Sequence, residues 1–183
     1  MSGGWLAELS YDLRTMSREQ ILLRLLVVLA AEGYAVVLTM VSRAGLVALL
    51  GIMLLGIVVA VLPDTGVPTL AILYLLTSWV VGVAPAWTPA ALPAALALVL
   101  MHSSCALAAS VPAQSPLPPE VLLTQAARLG VVAGLTVAAW AAAGVVESVD
   151  VTGGVLWPIV GLAVLAAALS GHYLMLVSDS PPG

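Results

Sequence analysis

Glu32 is the residue whose position asks most of this chain. It stands in an apolar run about fifteen residues past Ser17 and about ten before Ser42, so on a helix rising 1.5 Å per residue its carboxyl reaches neither boundary of a lipid layer. An ionised carboxylate at that depth costs at least ~2.5–3.5 kcal/mol, so Glu32 has to face protein or water. His102 is its natural partner. It lies near the middle of another apolar run and is followed by Ser103, Ser104 and Cys105, the one local cluster of polar groups at membrane depth. If the two runs are adjacent helices, the two side chains sit within roughly 6 Å of the same depth. A Glu32–His102 pair in the bundle interior would handle protons or ions, or would be a buried hydrogen bond fixing the first helix against the fourth. The second reading is the plainer one, because no further acidic site extends a relay.

Other chemistry is thinly represented. No HExxH, GxSxG, glycine-rich phosphate loop or cysteine–histidine signature occurs, and the connecting segments are too short to hold an active site outside the membrane, so no enzyme is expected. Two histidines and one cysteine make no metal site on spacing, and no cofactor is expected. His172 and Tyr173 read as interfacial residues at the end of the last apolar run.

The elements that must position Glu32 and His102 follow from composition. Of 183 residues 62% are hydrophobic and 8% charged, with a mean hydropathy of +1.18, against roughly 45–50% and 25% in soluble domains. Between Leu25 and Pro119 only Glu32, Arg43 and Asp64 carry charge. The solvent for such a surface is lipid, and a net charge of −4 without a single lysine excludes a nucleic-acid partner. No cleaved signal peptide or lipid anchor is expected, so the spans hold the chain in the plasma membrane.

The expected fold is all-α, a polytopic transmembrane helix bundle of six spans: 17–42, 45–62, 68–83, 88–111, 119–146 and 155–177. The count falls to five if 68–83, the shortest, does not cross. Residues 1–16 form a cytoplasmic N-terminal segment and 178–183 a polar tail. Ser17 and Gln20 make a capping-box pattern, Pro63-Asp64-Thr65-Gly66 is a turn, and Thr88 is placed as a cap with Pro89 at the first helical position. The loop at Pro112 to Pro119, with four prolines, divides the spans three and three. Arg14, Arg18, Arg24 and Arg128 against Arg43 put both termini in the cytoplasm, with Arg24 and Arg128 as topology anchors. Trp79, Trp87, Trp140 and Trp157 then fall together at the outer boundary.

Small residues at four-residue spacing mark packing faces in lipid. Gly130, Gly134, Ala138 and Ala142 form one such ridge on the fifth span, and Ala163, Ala167 and Gly171 another on the sixth. Contacts within the monomer are the favoured use of both, a dimer interface the other.

Pro63-Asp64, the run His102-Ser103-Ser104-Cys105-Ala106-Leu107, Pro112 and Arg128 on the following helix resemble small multi-pass actinobacterial membrane proteins encoded near a MoxR-type AAA ATPase. That resemblance implies an accessory role in a membrane assembly, with other membrane subunits or a cytoplasmic AAA ATPase system as partners, and transfers no catalytic residue. Short loops and packing stripes point the same way, to an accessory or scaffold subunit. A small transporter or proton-coupled carrier using Glu32 and His102 is the alternative.

Overall fold

The computed structural model describes residues 14–42, 45–84 and 87–148, with only the backbone at 46–48. Among these the chain is helical without strands. Five α-helices follow one another: α1 (Arg18–Val41), α2 (Leu46–Val61), α3 (Val67–Gly82), α4 (Ala91–Ala109) and α5 (Pro119–Ser148). Helices α1, α4 and α5, of 24, 19 and 30 residues, are long and apolar enough to cross a membrane. The apolar helices α2 and α3 have 16 residues each, about 24 Å against ~30 Å of hydrocarbon. The expected sixth span, with Ala163, Ala167 and Gly171, lies outside the described residues, as do His172, Tyr173, Trp157 and Arg43.

The helix ends show what the local signals do. The Ser17 hydroxyl accepts from the Gln20 backbone N–H at 3.3 Å, an N-cap bond. The second half of the predicted capping box is absent, because the Gln20 side chain turns away to α4. At the other proline-marked start the helix begins later than predicted. Thr88 accepts from Ala90 and Ala91 N–H in a turn, and α4 starts at Ala91. The reason is Pro93. A helix starting at Pro89 would put Pro93 beyond its first turn, where the missing N–H and the ring clash break a helical bond, whereas from Ala91 it falls among donors that have no helical partner anyway.

Helix α1 is the axis of the packing. It lies along α4 most extensively and along α2 next, while α3 closes the circuit between α2 and α4. Its Val27, Ala31, Tyr34 and Leu38 meet Ile52 and Val59 of α2, Ala71 and Leu75 of α3, and Met101 and Cys105 of α4 in one buried cluster. Close approach explains the small residues there: a Cβ on Gly56 would fall 2.7 Å from the Ala31 Cβ, so α1 and α2 cross almost backbone to backbone. A smaller cluster of Leu23, Leu107, Ala108 and Leu117 closes the end near Ser17, where Ser17 N–H also donates to the Ala113 carbonyl at 2.9 Å.

Among the described residues, helix α5 differs from the others in having no buried residue. Its hydroxyls need no outside partner, since Thr124 and Thr136 donate to the carbonyls of Glu120 and Val132 four residues back, both at 2.8 Å. Thr77 and Ser78 do the same on α3. By internal contacts the chain divides into two compact units, Met1–Ala141 and Ala142–Gly183. Of the second unit only the end of α5 is described.

Candidate functional site

Glu32 and His102 lie on helices that do pack together, yet on the wrong sides of them. On α1 the buried line runs through Val27, Ala31, Tyr34 and Leu38, and Glu32, five residues past Val27, is rotated about 140° from that residue. It is half-buried. His102 follows the buried Met101 by one residue, about 100° round α4, and is exposed, while the next turn carries the buried Ser104 and Cys105. No hydrogen bond or ion pair joins Glu32 to His102 among the described residues. The expected pair in the bundle interior is therefore not formed: depth along a helix follows from counting, but the side of the helix does not. Among the described residues no three His, Cys, Asp or Glu side chains come together to hold a metal ion.

The polar groups that the fold does organise sit one turn apart at the start of α1. The Gln20 side chain, fully buried, donates through Nε2 to the carbonyls of Ala108 and Val111 at 3.2 and 3.3 Å, closing the end of α4. Its Oε1 is buried without a hydrogen-bond partner. Arg24 donates from Nη1 to the carbonyls of Ala60 and Val61, both at 3.0 Å, at the end of α2. Each helix end leaves carbonyls without helical donors and carries partial negative charge, so an amide and a guanidinium are suited to the two positions. Arg24, read from sequence as a topology anchor, thus also clamps a neighbouring helix. Arg128 is exposed on α5, beside Glu120, Thr124 and Gln125 in a shallow hollow of about 240 Å³.

Two aromatic contacts complete the set. Tyr34 donates its hydroxyl to the Leu75 carbonyl at 2.6 Å, tying the middle of α1 to α3, and its ring lies 6.2 Å from that of Trp79. Trp87 and Trp140 stack at 5.5 Å with 28° between their planes. They exchange hydrogen bonds with each other's segments: Trp87 Nε1 donates to the Trp140 carbonyl and Trp140 Nε1 to the Thr88 carbonyl, each at 3.1 Å. This clasp and Leu122, packed on the Leu117 cluster, hold the two ends of α5's first six turns or so.

The small-residue ridge of α5 is not used within the described residues. Gly130, Gly134, Ala138 and Ala142 are exposed, and a Cβ at Gly130 or Gly134 would meet nothing within 4 Å. The half-buried line of α5 runs instead through Leu122, Leu129, Ala133, Thr136 and Trp140, about 150° away. Among the described residues α5 is aligned by Trp140 and the larger Leu122 and Leu129, and the sixth span against which the ridge could pack lies outside them.

No single local pattern identifies Gln20, Tyr34 and Gly56. For the Trp87–Trp140 clasp the signal was present, two indoles assigned to the same boundary. No protein family, curated protein or solved structure matches the chain.

Proposed function

We propose that the chain is an integral accessory or scaffold subunit of a plasma-membrane assembly, crossing the bilayer six times with both ends in the cytoplasm. The observation that supports it most directly is α5: 30 residues, none buried among the described residues, with Gly130 and Gly134 open to close approach there. A helix with such a face is built to receive another helix in lipid, where association depends on backbone proximity rather than on a hydrophobic drive. Other membrane subunits are the partners this face suits. A cytoplasmic AAA ATPase system is the partner class implied by the resemblance of Pro63-Asp64 and His102 to Leu107. A photo-crosslinking residue at position 134 tests the reading in intact membranes. Crosslinks to a second polypeptide at 134 but not at the half-buried Thr136 are expected, and their absence at 134 overturns it.

The carrier reading rests on a different observation: Glu32 is a half-buried carboxyl in mid-helix with no hydrogen bond or ion pair to protein among the described residues. Substrate-dependent uptake by vesicles holding the purified monomer, lost in Glu32→Gln with the protein level unchanged, would establish it in place of the scaffold.

A further inference from the structure

At its depth in the membrane Glu32 needs protein or water to face, and within one copy of the chain its carboxyl has no hydrogen bond or ion pair among the described residues. Its oxygens are not enclosed by the fold. The side of α1 on which it stands is equally open. Leu22, Leu25, Leu29, Glu32 and Val36 follow one another at alternating intervals of three and four residues and fall in an arc of about 80° opposite the buried Val27. The four apolar members are 49–59% exposed, whereas α2, α3 and α4 all pack on the Val27 side. We propose that this seam pairs α1 with α1 of a second copy of the chain, setting Glu32 against Glu32 of the partner subunit.

Geometry and chemistry select a second copy. Alternating steps of three and four make the seam of two helices crossing at about 20°, and from Leu22 to Val36 this seam rises about 21 Å, most of the ~30 Å of hydrocarbon. Copies of one chain insert in the same orientation, so their α1 helices run parallel and equal residues meet at equal depth. The carboxyl is self-complementary. Holding its proton it has one donor and an acceptor, so two of them across a two-fold axis satisfy each other. A single polar group in an apolar seam also fixes the register, since a slip of one helix along the other would strand both carboxyls in hydrocarbon. The inference rests on the membrane part of the function proposed above and is independent of what the α5 face receives.

Bismaleimide crosslinking of the full chain in membranes tests it. The native Cys105 is buried, so the wild type is the blank. Leu29→Cys should give a product of twice the chain's mass, and Leu54→Cys, similarly exposed on α2, should not. Förster transfer between differently labelled copies in phosphatidylcholine vesicles then gives the dissociation constant. Glu32→Leu should raise it about three- to thirtyfold, while Glu32→Gln, whose amide also carries a donor and an acceptor, should leave it within about twofold. Absence of the double-mass product from Leu29→Cys overturns the proposal, as does equal crosslinking from Leu54→Cys or a Glu32→Leu constant equal to that of the wild type. A Leu29→Cys product of any other mass overturns it in favour of a different polypeptide on this seam. Recovery of the chain from the aqueous fraction without detergent overturns the membrane reading itself, an outcome distinct from the others.

Discussion

Tyr34 is the residue where one atom ties two helices. Its hydroxyl is buried and donates to a backbone carbonyl of α3, so Tyr34→Phe should lower stability by about 0.5–1.5 kcal/mol. Thermal unfolding in detergent measures this, and Tyr74→Phe, at an exposed position, should change the midpoint little. For Glu32 and His102 the expectation is independence. Each is rotated away from the buried line of its own helix, so a double-mutant cycle of Glu32→Gln and His102→Ala should show a coupling below about 0.5 kcal/mol. A larger coupling would restore the interior pair. The depth of Glu32 could be counted from Ser17 and Ser42, but its direction could not. In a water-soluble helix the polar stripe shows which side faces out, whereas here apolar residues cover every side of α1 and leave no such mark.

At the scale of the helix, start and stop signals were largely legible because they are local. Ser17 caps α1, and Pro63 to Gly66 separates α2 from α3. Thr88 was misread because Pro93 further along decides which start is tolerable. Gln20 was misread because its true partners, Ala108 and Val111, stand 88 and 91 residues away. The four-residue spacing in α5 was equally uninformative about facing, since small residues permit close approach without saying to what. The contact that does require a small residue is at Gly56. Gly56→Ala should destabilise by up to about 2 kcal/mol, the ~1–3 kcal/mol of overpacking against Ala31 less the gain of alanine in a helix. Gly51→Ala, where nothing stands within 4 Å, should instead be neutral or stabilising by up to about 1 kcal/mol. Unfolding midpoints of the two variants side by side check the pair, and equal effects would contradict the α1–α2 crossing.

For the whole molecule the composition alone carried the helical, lipid-compatible character, because 62% hydrophobic residues leave too few polar groups for a water-facing shell. Topology is the next measurement. Reporter fusions after Ser42, after Pro116 and at Gly183 should report outside, inside and inside for six spans, and an outside signal at Gly183 would mean an odd number. The indole stack offers a way to follow the same molecule without any label. The chain has five tryptophans and no phenylalanine, and two of its indoles are held at 5.5 Å with nearly parallel planes. Their electronic transitions are then coupled, and the near-ultraviolet circular dichroism of the native protein becomes an optical gauge of whether α5 is seated on the bundle or released from it.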